Sequence, residues 1–373
     1  MEYLDMYQAA CIQPIIRSAE TRDVIMENVK RVCELIDEAP QYSIAGAKNT
    51  YKNWWAPMKL VSFPEFFIQG HEGNWTHEHY IKNVLIEMDG PEMEPIRNKA
   101  IEHEIYIAGC CLEHDPDWKN EDYIFNTHFL IDPKGDIVMK YRKLTVATHF
   151  ELSMSPHDIY DEYVAMYGDD LSTFFPVADL EIGKIGLTTC MDAHFPENYR
   201  ALGQQGAEVI LHPVLVDPLL SEPTDVWTAI NRVRAWENIC YIVCSSWGAY
   251  VGSLRPENTT PGQAMIANYN GMVLAKSHHP GESIISATIN LEELRRRRLD
   301  PSRNYPTMLR NEIYRKIYTN NVYEANQFTG MNPRTRESRD SIAAIKDFVD
   351  RGIYTRPEKV PDFFKAYEEK NKD

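Results

Sequence analysis

The chain has 373 residues, 43% of them apolar and 25% charged, enough to bury one large core or two modest ones and too apolar for a wholly disordered protein. Its formal charge of −16 argues against a phosphate-backbone partner or an anionic membrane surface, either of which calls for a basic stripe. No apolar run approaches the roughly 20 residues of a membrane span, and the opening Met-Glu-Tyr-Leu-Asp carries acids where a secretory leader carries bases, so a cytoplasmic location is expected. The cysteines, Cys11, Cys33, Cys110, Cys111, Cys190, Cys240 and Cys244, form an odd set without Cys-x-x-Cys pairs. Free thiols are expected, most of them small buried hydrophobes.

In chain order, residues 7–13 read as a strand and 24–39 as a helix. A strand at 60–64 and a helix at 93–103 follow. Strands are expected at 106–112 and 127–131, the second passing through Asp132-Pro-Lys-Gly135-Asp into a further strand, as a hairpin turn would. Strands at 184–189 and 208–212 flank a helix that Pro196 and Glu197 open and Gly206 ends. After a helix at 225–238 come strands at 241–245, 264–267 and 284–288, with Asn268-Tyr-Asn-Gly271 as a second hairpin turn. This alternation calls for α/β layers. The four arginines at 295–298 follow Glu292 and Glu293 and read as the solvated C-terminal end of a helix, not as a nucleic-acid patch. From 299 to 373 the composition turns to Tyr, Arg, Asn and scattered Pro, predicting an extended arm with a short helix near 338–350.

Three positions suggest chemistry. Cys190, in Leu187-Thr-Thr-Cys190-Met-Asp-Ala-His-Phe-Pro196-Glu, sits between a strand and a helix, where an elbow exposes a nucleophile at the carboxyl end of a sheet. A thiol is mostly protonated at neutral pH and needs a base. Glu65, in Leu60-Val-Ser-Phe-Pro-Glu65-Phe-Phe, follows a strand among aromatic residues that would partly desolvate it, as suits a base. Lys143, in Met139-Lys-Tyr-Arg-Lys143-Leu, offers a fixed ammonium for a tetrahedral oxyanion. Singly, each has a plainer reading: a core thiol, a loop carboxylate, a surface lysine.

Together and in this order, Phe-Pro-Glu65, Tyr-Arg-Lys143-Leu and Cys190-Met-Asp-Ala-His-Phe-Pro-Glu resemble the three signatures of the nitrilase superfamily of carbon–nitrogen hydrolases. The resemblance spans residues 5–300, including Gly206-Ala-Glu-Val-Ile-Leu-His-Pro and Arg234-Ala-Trp-Glu-Asn. It implies a four-layer αββα sandwich over residues 1–298, a catalytic triad of Glu65, Lys143 and Cys190, and a second glutamate, Glu151, that helps orient lysine and substrate. It also implies a cysteine thioester, with Lys143 and the Met191 N–H holding the oxyanion and Glu65 moving the protons, and neither metal nor cofactor. Arms of this superfamily often cross a dimer interface. Residues 299–373, with the Tyr-rich stretch 305–323, are therefore expected either there, in a homodimer or larger homo-oligomer, or packed on their own chain.

Nitrile-cleaving members usually follow the cysteine with Trp-Glu. Met191-Asp192 stand there in this chain, closer to amidases and carbamoylases, so the expected substrate is a small carboxamide, with an organic nitrile or an N-carbamoyl compound as alternatives. Ala193 and His194 replace the arginines with which carbamoyl amino acid hydrolases grip a substrate carboxylate. Residues 152–170, with Tyr160, Tyr163, Met166 and Tyr167, suit either a pocket wall or a packed surface helix. The rival readings are a Cys-His hydrolase using His149, His194 or His212, a zinc site from His71, His77 and His79, and a non-catalytic or acyl-transferring scaffold. None accounts for Glu65, Lys143 and Cys190 together.

Overall fold

In a computed structural model, residues 3–42, 56–72, 75–147, 151–215, 225–251, 262–331 and 342–370 are described. The first strands are β1 (Met6–Gln13), β2 (Ile15–Arg17), β3 (Met58–Glu65), β4 (Tyr106–Glu113), β5 (Phe125–Ile131), β6 (Ile137–Arg142) and β7 (Val177–Leu180). The second half adds β8 (Gly183–Leu187), β9 (Val209–Leu211), β10 (Tyr241–Cys244), β11 (Ala249–Val251), β12 (Met265–Ala267), β13 (Val273–Lys276) and β14 (Ser283–Asn290). Among the described residues they form two six-stranded sheets, ordered β14-β1-β3-β4-β5-β6 and β13-β12-β10-β9-β8-β7, and a small pair β11-β2.

The period-2 alternation of a strand decides how the layers stack. Along β1, Tyr7, Ala9 and Cys11 point to the second sheet while Ala10 and Ile12 point to a helix layer, and all five are fully buried. Leu60 and Leu130 join the inner side, meeting Ile185, Leu187, Leu211 and Val243 from the facing sheet. The helices Arg22–Glu38 and Glu94–His103 cover the outer face of the first sheet through Ile25, Val29, Val32, Ile36 and Ile96. The helices Pro196–Gln204 and Val226–Asn238 cover the second through Tyr199, Leu202, Trp227 and Ala235. The result is the expected αββα sandwich.

Both anticipated hairpin turns form. Asp132 Oδ1 accepts from the N–H groups of Lys134 and Asp136, and Gly135 takes φ +83°, where a β-carbon would be strained. Strands β2, β7 and β11 were not anticipated. They are three or four residues long, too short to display an alternation.

The arginine run departs from the expected solvated end. Arg295 forks onto Glu208 at 2.7 and 2.9 Å, and Arg298 donates to the carbonyls of Ile239 and Gly206 at 2.9 and 3.0 Å. Only part of the run is solvent-facing, because guanidinium forks satisfy carbonyls left open at the ends of neighbouring elements.

Within the arm, Tyr305 packs on Trp236 with ring centroids 4.6 Å apart, and Phe328 is buried among Trp118, Tyr123, Phe125, Ile159 and Tyr163. Backbone N–H groups of Asn326 and Phe328 donate to the carbonyls of His157 and Asp158, each at 3.0 Å. This stretch therefore lies on its own chain. Under it, Tyr160–Tyr167 is a packed surface helix with Tyr163 inward and Met166 and Tyr167 outward. The helix expected near 338–350 is Ile342–Asp350, its first four expected positions lying outside the described residues, and Asp362–Lys370 is a further helix the sequence did not announce. All seven cysteines are free, and among the described residues no helix is long and apolar enough to cross a membrane.

Candidate active site

Parallel pairing with β9 runs past the end of β8, since Thr188 N donates to Leu211 O at 3.2 Å and Cys190 N to Pro213 O at 2.9 Å. There the chain turns sharply. Cys190 has φ +46°, a left-handed conformation costing on the order of 1–2 kcal/mol for a residue with a side chain. Surrounding bonds hold it there. Thr189 and Asp192 form a reciprocal capping box, Asp192 also accepts from Tyr141 OH at 2.6 Å and Thr145 N at 2.8 Å, and His212 Nε2 lies 3.2 Å from Cys190 O. A 3-10 turn, Cys190–His194, then leads into the helix that Pro196 starts. The Met191 N–H belongs to its first turn, where backbone donors lack intrahelical acceptors.

Glu65 ends β3 on the opposite sheet, and Phe66 at φ +54° turns the chain away. Trp247 Nε1 donates to Glu65 O, and Leu215 N donates to Glu65 Oε2 at 3.2 Å. Lys143 follows β6, its N–H bonded to Asn126 O at 3.0 Å. Its Nζ donates to Glu65 Oε1 at 2.7 Å and to Glu151 Oε2 at 2.6 Å. Asn126 Nδ2 reaches Oε1 of both glutamates at 2.7 Å, and Ser153 Oγ adds a bond to Glu151 at 2.5 Å. Glu65 and Lys143 are each 1% exposed, and Cys190, at 7%, retains slight access to solvent.

Burial opposes the charge on Lys143, but Glu151 and then Glu65 outweigh it and hold its pKa well above the ordinary lysine value. Burial likewise works against a charged Glu151, yet Lys143 keeps it below the usual carboxylate range. At Cys190 burial and the charge of Glu65 push the thiol well up, against the pull of Lys143. Cys190 thus rests as a protonated thiol beside the Glu65 carboxylate, its Sγ 3.9 Å from the Leu215 carbonyl.

The expected site residues therefore converge: Lys143 touches Glu65 and Glu151, Cys190 faces Glu65, and Met191 follows Cys190. The histidines do not. His212 contacts the Cys190 carbonyl and Asn231 instead of the sulfur, burial pulling its pKa down to about 4. His194 is exposed beside Met191 O, and His149 lies outside the described residues. His71, His77 and His79 turn to Tyr80, the Asp122 carbonyl and Asn83 respectively, which dissolves the zinc reading. Among the described residues the acid and imidazole ligand atoms that converge are those of Asp37, Glu102 and His103, and the Lys99 ammonium already pairs with both carboxylates at 2.8 Å. Sequence reasoning missed Asn126, Ser153 and Trp247. Asn126 shares a face of β5 with His128, and two polar residues on one face of a buried strand were the available signal.

A model of the carbon–nitrogen hydrolase family matches residues 8–299. The chain belongs to the carbon–nitrogen hydrolase family. A formamidase of Bacillus cereus (strain Q1) is 27% identical over 285 residues, covering 76% of this chain and 74% of the relative. Nit3 of Saccharomyces cerevisiae, from branch 10 of the nitrilase superfamily, superposes with a TM-score of 0.61 at 21% identity, over 79% of this chain and 94% of its own. A variant of the amidase from Nesterenkonia sp. AN1, carrying the acetamide moiety of fluoroacetamide on its active-site cysteine, gives 0.57 at 16% identity, over 83% and 96%. The two structural likenesses are of fold. For this carbon–nitrogen hydrolase, the matched span ends as the helix Leu291–Arg298 gives way to the arm.

Proposed function

We propose that this carbon–nitrogen hydrolase cleaves small carboxamides through a thioester on Cys190. The observation that carries the reading is a buried Glu65–Lys143–Glu151 set beside a thiol at a strained strand-to-helix elbow. Glu65 takes the Cys190 proton as sulfur bonds to the amide carbon, and the carbonyl π pair becomes an oxyanion held by Lys143 and the Met191 N–H. Lys143 has three donors, two of them on the glutamates, so one remains for that oxygen. Collapse of the intermediate breaks the C–N bond, and the leaving nitrogen takes the proton from Glu65. Water then adds to the thioester, Glu65 accepting its proton, and collapse releases a carboxylic acid and returns the proton to sulfur.

The formamidase relatives support a short acyl group. Ammonia release is to be measured with formamide, acetamide, propionamide, acetonitrile and N-carbamoylglycine. The expected order places one of the short amides first, with the nitrile and the carbamoyl compound at least about 100-fold lower in kcat/KM. Turnover of the nitrile without turnover of any amide would overturn the assignment.

A further inference from the structure

One amide side chain ties the two carboxylates of the site together. Asn126 Nδ2 donates to Glu65 and Glu151, each at 2.7 Å, and Lys143 Nζ bridges the same pair at 2.7 and 2.6 Å. The ring holds two acids against one cation, with every member essentially buried. Repulsion between two such carboxylates would drive one to take up a proton or turn away unless further donors face them. Only the amides of Asn and Gln offer two N–H groups on one uncharged nitrogen, one for each acid.

The amide is oriented from its far side. Cys110 Sγ lies 2.8 Å from Asn126 Oδ1 and donates to it, so the NH2 group must face the glutamates. This arrangement has a consequence at Glu65. Its Oε1 accepts from both Lys143 and Asn126, which uses its two lone-pair directions, while Oε2 holds the single backbone N–H of Leu215 at 3.2 Å. Among the described residues no other donor reaches Oε2, which leaves one of its lone pairs for the thiol.

From this geometry we propose that Asn126, oriented by Cys110, is a positioning residue that keeps Glu65 and Glu151 together on Lys143 and reserves Glu65 Oε2 for the Cys190 proton. The inference rests on the amide-hydrolase reading, so the test carries a readout independent of turnover. Asn126→Ala, Cys110→Val and Cys110→Ser are compared with the wild type in short-amide kinetics and in the rate at which iodoacetamide alkylates Cys190, followed by peptide mass.

For Asn126→Ala, kcat is expected to fall about 100-fold with KM within about three-fold, and alkylation to slow about ten-fold, as for a misdirected general base. Cys110→Val, which leaves the amide unoriented, should lose about ten-fold in kcat, and Cys110→Ser, which restores a donor, should recover most of it. Unchanged kcat and alkylation in Asn126→Ala, a loss confined to KM, or a Cys110→Ser variant no better than Cys110→Val would overturn the role. Should Asn126→Ala not fold, the Cys110 pair decides. If the wild type is alkylated at Cys190 yet turns over no amide, the functional reading fails and the alkylation ratios alone settle the role of Asn126.

Discussion

Cys190→Ala is expected to abolish ammonia release, by a factor on the order of 10⁵ or more, while the protein stays folded. The loss is large because the Asp192 oxygens are taken by Tyr141, Thr145 and Thr189, and Glu65 serves as the base, not the nucleophile, in the proposed reaction. The fold should survive because the bonds holding the elbow are made by the Cys190 backbone, to Pro213 through its N–H and to His212 through its carbonyl, whereas among the described residues Sγ bonds to the Leu215 carbonyl alone, at 3.9 Å. Thermal unfolding should place the variant within about 1 kcal/mol of the wild type. Residual turnover within about 100-fold of wild type would remove Cys190 from the mechanism.

Lys143→Met should damage both activity and stability. In the proposed mechanism this removes a donor to the oxyanion, an expected loss on the order of 10³-fold in kcat. Breaking a buried ion pair on one side costs about 3–5 kcal/mol, because Glu65 and Glu151 then face each other without a cation. The pH dependence of the loss follows from the sign of each shift. In the wild type the Glu151 pKa is held below its ordinary 4.5, so its contribution is present above that value and is lost as pH falls through the folded pKa. The raised Lys143 pKa adds stability that is fully present below the ordinary 10.5, hence constant from pH 5 to 8. Without the lysine, burial is the dominant influence on Glu151 and raises its pKa, so the variant should gain stability on going from pH 8 to 5. Equal urea midpoints for variant and wild type at pH 8, with no gain at pH 5, would contradict the buried-pair account.

Much of this was legible in advance, for identifiable reasons. Pro196, Glu197 and Gly206 bounded the helix behind Cys190 because an imino acid, a first-turn acid and a left-handed glycine each suit one position there. Glu65 and Lys143 stand out in the sequence because each comes at the end of an expected strand. Asn126 escaped because its role depends on a register across β4 and β5 that sets Cys110 opposite His128 and so brings the Cys110 thiol to the amide. Pairing across strands is not written into local periodicity. The particular residues that the arm meets are hidden from the sequence in the same way. The contacts of Phe328 lie more than 160 residues away in sequence, among Trp118, Tyr123 and Tyr163, and only the closed fold brings them together. Arg298 was read as solvated because a charge run gives no sign of the carbonyls it will meet.

In the proposed reaction Cys190 carries the acyl group of an amide. Intact mass spectrometry of the wild-type protein, acid-quenched during turnover of acetamide, followed by peptide mapping, tests it most directly. One acetyl group is expected, on the peptide containing Cys190 and absent from Cys190→Ala. Turnover with no covalent adduct under any quench, or an acetyl group on another residue, would contradict it.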